Sequence, residues 1–109
     1  MEPNSLVMVD RLAALAQAHR LAVYRLLVVA GPAGRLPGDI AAELDIPASS
    51  LSFHLAHLKR AGLVTAAREG RSLRYAADFA AMRGLVDFLT DNCCAGATCA
   101  PAIIERNVA

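Results

Sequence analysis

Three thiols fall within seven residues near the end of this chain, Cys93, Cys94 and Cys99, and no cysteine lies elsewhere. An odd number confined to one stretch does not build a disulfide framework; it marks a site. Two adjacent thiols, a short run containing Gly96 and a third thiol can wrap a single ion, because glycine turns the chain back at little steric cost. Three sulfur donors with no histidine among them suit a trivalent, thiophilic, three-coordinate centre such as arsenite, As(III), with antimonite, Sb(III), as its analogue. The lone pair of the central atom takes the fourth direction. Structural zinc takes four ligands from Cys and His, and a fourth is not evident, so no zinc site is expected. Soft thiolates also suit copper(I) or mercury, so the residues define a class of ion rather than an element. The same thiols suit a redox switch in which Cys99 pairs with Cys93, Cys94 or a second subunit, leaving one thiol spare. A thiol enzyme such as an arsenate reductase needs an activating base or anion pocket. The stretch 93–99 holds neither Arg nor His, so an enzyme is not expected.

A second constellation is electrostatic. Net charge is only +1, yet residues 47–75 hold Lys59, Arg60, Arg68, Arg71 and Arg74 against Glu69 alone, a balance of +4. The rest of the chain carries six basic and nine acidic residues, a balance of −3. A basic segment in an otherwise acidic small domain is the footprint of a nucleic acid, because neutralised phosphates release counterions. By charge alone a solvated basic face fits equally well. The elements that carry the charges decide between the two.

At 109 residues the chain makes one compact domain, which excludes a multidomain enzyme. Hydrophobic residues are 56% of it, much of this alanine, and polar residues interrupt every apolar stretch. The charge-free run Leu26 to Gly34 is far short of the roughly 20 residues a membrane span needs. Met1-Glu2-Pro3-Asn4 shows no basic leader, so the cytosol is the expected compartment.

Apolar residues recur at helical spacing from Leu6 to Gln17, and again through Leu21, Tyr24, Leu27 and Val28 after His19-Arg20. Gly31-Pro32 ends the second helix. A short helix follows over Pro37 to Leu44, with Asp39 near its positive end, then a tight turn at Asp45-Ile46. Pro47 fits the first turn of the next helix, whose buried stripe is Leu51, Leu55 and Leu58, and Ala61-Gly62 ends it. Two short helices joined by a turn, the second opening the basic segment, form a helix-turn-helix. Opposite the leucines lie Ser49, Ser52, Phe53, Ala56 and Arg60, a face able to meet a groove. Serines near a helix start also cap it; beside the basic residues the groove reading is preferred.

Residues 63–68 and 71–76 read as strands around a two-residue turn at Glu69-Gly70, so that Arg68 and Arg71 bracket the tip of a wing. A last helix is predicted from Asp78 or Phe79 to about Thr90, with Met82, Leu85, Val86 and Leu89 along one stripe. The predicted class is therefore mainly α with a small β-hairpin, a winged helix-turn-helix of about five helices plus a two-stranded wing. So small a domain has more apolar helix surface than it can cover. The first and last helices are expected to pair with a second copy, and two-fold dimers match two-fold DNA sites.

At Ala18-His19-Arg20-Leu21, Ser52-Phe53-His54-Leu55, Leu58-Lys59-Arg60-Ala61-Gly62-Leu63-Val64 and Arg68-Glu69-Gly70-Arg71 the chain resembles the ArsR/SmtB winged helix-turn-helix metalloregulatory repressors. The resemblance covers roughly Leu12 to Asn92. It implies a homodimer that binds double-stranded operator DNA, represses its own operon and leaves DNA when a toxic metal or metalloid binds. The family's base-facing positions fall on Ser49, Ser52 and Phe53, its supporting or phosphate contacts on Ser50, His54 and Lys59, and its wing arginine on Arg71. Arg60, Arg68 and Arg74 complete the expected DNA-binding set. Pro47 stands where relatives often carry a capping Ser or Thr, and Phe53 where a polar residue is frequent; Phe53 suits a thymine methyl. A thiolate site at the start of the helix-turn-helix needs cysteines near Glu43, and a zinc site between the terminal helices needs histidines on the last one; neither set is present. The tail cysteines look like the arsenite-responsive branch, which implies that As(III) held by Cys93, Cys94 and Cys99 derepresses arsenic-resistance genes. Residues 1–92 are then the DNA-binding and dimerisation domain, and 93–109 a metalloid-binding tail.

Overall fold

A computed structural model of the chain describes residues 2–97. The elements run α1 (Pro3–Leu15), α2 (Ala18–Ala30), α3 (Pro37–Leu44), α4 (Ala48–Arg60), β1 (Val64–Glu69), β2 (Ser72–Ala77) and α5 (Phe79–Thr90). Five helices and one antiparallel hairpin form the winged helix-turn-helix that the spacing predicts. Among the described residues, no single helix is long and apolar enough to cross a membrane.

The first two helices begin earlier than their apolar periodicity suggests. Pro3 opens α1 at a position where its missing N–H leaves nothing unsatisfied. The side chain of Gln17 caps α2, accepting from the Arg20 backbone N–H at 2.8 Å, so Gln17 belongs to the second helix and not to the first. Gly31 ends α2 with φ +80. Asp45, also left-handed at φ +54, turns the chain from α3 toward α4. Pro47 stands just outside α4 as its N-cap and not in its first turn.

The core lies where α2, α3 and α4 meet the base of the hairpin. Val23, Tyr24 and Leu27 of α2, Ile40 of α3, and Leu51, Leu55 and Leu58 of α4 are buried with Leu63, Val64 and Ala77. Burial of each such leucine contributes about 1.5–3 kcal/mol, so α4 is held chiefly through one stripe of three.

The hairpin register differs by one residue from the expected one. Glu69 pairs with Ser72 and Arg68 with Leu73, which puts Gly70-Arg71 in the turn. Only Gly70 has a positive φ, +62, and a two-residue turn with glycine first is the type II′ pattern that matches strand twist. Arg68 and Arg71 therefore do not face each other across the turn. Arg71 occupies the tip itself, with Arg68 below it on β1.

β2 is also bound to the body. Arg35 N–H donates to the Tyr75 carbonyl at 2.8 Å and Tyr75 N–H to the Arg35 carbonyl at 2.9 Å. Gly34 permits this approach: a Cβ there would collide with the Tyr75 carbonyl oxygen. Asp78 then caps α5, its Oδ1 accepting from Ala81 N–H at 3.0 Å.

Candidate nucleic-acid interface

The leucine stripe turns the opposite face of α4 outward. Ser49, Ser52, Phe53, Lys59 and Arg60 are exposed and Ser50 is half-buried. Phe53 is 61% exposed, an unusual setting for an aromatic ring inside a folded chain. The helix contains no acidic residue, and His57, Lys59 and Arg60 occupy its last turn, where cations complement the helix dipole. Hydroxyls at one end, a ring in the middle and cations at the other form a continuous polar-to-basic face.

His54, expected among the supporting contacts, lies elsewhere. It is only 8% exposed and meets His19 of α2 edge-on, with ring centroids 5.6 Å apart. Its Nδ1 has no hydrogen-bond partner among the described residues. Burial pushes its pKa down, and the neighbouring Arg20, His19 and His57 push the same way, so the neutral ring is favoured. This is a packing histidine on the inner side of α4.

The wing arginines also divide. Arg68 and Arg71 are exposed. Arg74 is engaged with its own chain: Nε meets Glu69 Oε2 at 2.8 Å, Nη2 meets Oε1 at 3.2 Å, and Nη1 donates to the Ala33 carbonyl at 3.3 Å. The pair holds the Glu69 carboxyl below its usual range, through the hydrogen bond first and the charge second. Arg74 thus braces the wing against the loop after α2, while Arg68 and Arg71 offer free charge.

Three arginines outside the expected set prove structural: Arg35 through its backbone bridge, Arg20 whose Nε donates to the Ala14 carbonyl at 2.7 Å, and Arg11 whose Nε donates to the Ala61 carbonyl at 3.1 Å. The last contact joins residues 50 positions apart. No local pattern signals it.

Cys93 and Cys94 are exposed on a single 3₁₀ turn after α5, with Sγ atoms 3.5 Å apart. Asn92, Cys94 and Ala95 all take positive φ there. Cys99 lies outside the described residues.

A helix-turn-helix domain family matches residues 15–66, which contain α2, α3 and α4. The transcriptional regulator CmtR of Mycobacterium tuberculosis is 50% identical over 40 residues, 37% of this chain and 34% of that protein; the match thus spans about a third of this relative's length. HlyU from Vibrio cholerae is 33% identical with a TM-score of 0.66, covering 82% of this chain and 97% of that one. A homodimeric winged helix-turn-helix DNA-binding domain from Mycobacterium bovis is 29% identical with a TM-score of 0.59, covering 84% of this chain and 89% of that one.

These comparisons correct the ligand expected from the thiols. The curated relatives are CmtR regulators, a name without arsenic specificity. Among the described residues, no group of three His, Cys, Asp or Glu side chains could hold a metal ion. The reading of As(III) or Sb(III) as an inducer held by Cys93, Cys94 and Cys99, with release from arsenic-resistance operators, does not stand. The count of thiols alone does not select arsenic, since soft thiolates accept several thiophilic ions.

Proposed function

Because the chain belongs to the ArsR/SmtB family of winged helix-turn-helix transcriptional regulators, we propose that it acts as a homodimer on double-stranded operator DNA. Members of this family are DNA-binding regulators, not enzymes. The observation that carries the proposal is the outer face of α4. It is held in place by Leu51, Leu55 and Leu58, carries no carboxylate, and presents Ser49, Ser52, Phe53, Lys59 and Arg60 to solvent. The α4 face enters the major groove, where serine hydroxyls reach base edges or phosphates and Phe53 lies against a thymine methyl. Ser50, at the edge of this face, and Lys59 and Arg60 meet phosphates. Arg71 at the wing tip, with Arg68 behind it, reaches the adjacent backbone or minor groove.

The second copy packs on α1 and α5. Leu6, Val9 and Leu12 on α1 and Val86 and Leu89 on α5 are exposed apolar residues on the two terminal helices, and the M. bovis domain similar to this chain is described as homodimeric. A two-fold pair places two α4 helices on successive faces of one duplex, roughly 34–36 Å apart. The protein works in the cytoplasm, where its DNA is.

A gel-shift series tests this. Purified protein is incubated with duplexes selected from a randomised pool, at rising salt. Specific retardation with a dissociation constant of about 10⁻⁸ M or tighter, falling steeply with salt, is the expected result. Equal, weak binding to selected and scrambled duplexes would overturn it.

A further inference from the structure

Among the described residues, two side-chain hydrogen bonds tie α1 to the body, each from an arginine. Arg20 of α2 donates from Nε to the Ala14 carbonyl at 2.7 Å and anchors the end of α1. Arg11, within α1, donates from Nε to the Ala61 carbonyl at 3.1 Å. Ala61 is the C-cap of α4, where carbonyls carry the negative end of the helix dipole. The guanidinium is thus held by charge as well as by the hydrogen bond. Gly62 keeps its place open: φ is +79, and a Cβ there would come within 3.0 Å of Arg11 Nη2.

The leucine stripe of α4 holds that helix by contacts that are large but not directional. Such contacts resist separation more than a small rotation or slide. The Arg11 bond is directional, sits at the end of the helix, and comes from the element that carries Leu6, Val9 and Leu12. It is the described side-chain hydrogen bond that links α1 to α4.

From this geometry we infer that Arg11 is a positioning residue that fixes the angle of α4 to α1, and thereby sets the half-site spacing that the dimer accepts on DNA. The inference rests on the reading of the chain as a dimeric DNA-binding regulator. Two recognition helices on one duplex must keep a fixed separation, so a few degrees of freedom in each α4 broaden the set of spacings that bind.

Selection from a randomised duplex pool, run in parallel with wild-type protein and the R11A variant, tests it. Wild type should return paired half-sites at one spacing. R11A should return the same half-site sequence over a wider range of spacings, and should bind the wild-type duplex at least about fivefold more weakly. Sedimentation should show the same dimer for both. If R11A does not fold by circular dichroism, R11M, which keeps the apolar stem but has neither charge nor donor, is read by the same outcomes. One unchanged spacing in the variant overturns the role of Arg11. Failure of wild type to select any paired site overturns instead the dimeric DNA-binding reading beneath it.

Discussion

α4 and α5 are almost the same length, 13 and 12 residues, and both are amphipathic, yet they are completed in different ways. α4 buries Leu51, His54, Leu55 and Leu58 within its own chain and turns hydroxyls and cations outward. α5 buries only Ala81 and Leu85, and leaves Val86 51% and Leu89 59% exposed. A helix whose outer face is polar is finished as a fold and ready for a polar partner. A helix whose outer face is apolar is unfinished until another apolar surface covers it. The difference fits the two tasks proposed for them, recognition for α4 and assembly for α5.

The sharpest way to break this contrast is to replace one leucine in each helix. L58A leaves a cavity beneath the recognition face and should lower unfolding free energy by about 2–5 kcal/mol in urea titration. L89E changes an exposed residue, so the folded monomer should lose no more than about 0.5 kcal/mol. Its dimer dissociation constant should nevertheless rise roughly 30-fold or more by sedimentation equilibrium. Equal loss of monomer stability in the two variants would erase the distinction.

Smaller effects sharpen the recognition side. R71A removes an exposed charge at the wing tip and should weaken DNA binding by about 1 kcal/mol while lowering the salt slope by about 1. R74A should leave that slope nearly unchanged, since its guanidinium already faces Glu69 and the Ala33 carbonyl. A full loss of slope with R74A would place that residue on the DNA instead. The smallest expected effect is on pH. The folded state depresses the pKa of His54, and also that of His57, below the usual 6.5. The unfolded chain then binds protons first, so stability is full above about pH 6.5 and declines as pH falls through it, levelling off below the folded pKa values. Thermal melts of H54L should show a shallower decline than wild type; an identical decline would assign the effect to His57.

The features legible in sequence were those written in local repetition. The leucines at 51, 55 and 58 declare an inner face, and Asp78 before an apolar run declares a helix start; both are found in place. The hairpin turn was legible only to one residue, because Glu69-Gly70 and Gly70-Arg71 both place a glycine where a positive φ is needed. His54 was misplaced because it sits three residues after Leu51 and one before Leu55, so the helical turn carries it inward with them. Arg11 and Ala61 were beyond sequence reading altogether, since nothing local joins residues 50 apart. The number of cysteines does not identify an ion: three donors match a trivalent centre on paper, but soft thiolates accept several thiophilic ions, and the curated relatives are CmtR regulators.

The backbone bridge between Arg35 and Tyr75 bears finally on how the protein survives at high concentration. An isolated hairpin offers two open edges to any passing extended segment, and such edges template aggregation. Here part of one edge of β2 is already hydrogen-bonded to the loop before α3. The outer edge of β1 is six residues long and ends in Arg68-Glu69, charges that discourage another strand from docking. The same seam that ties the wing to the body therefore also guards it against its own kind.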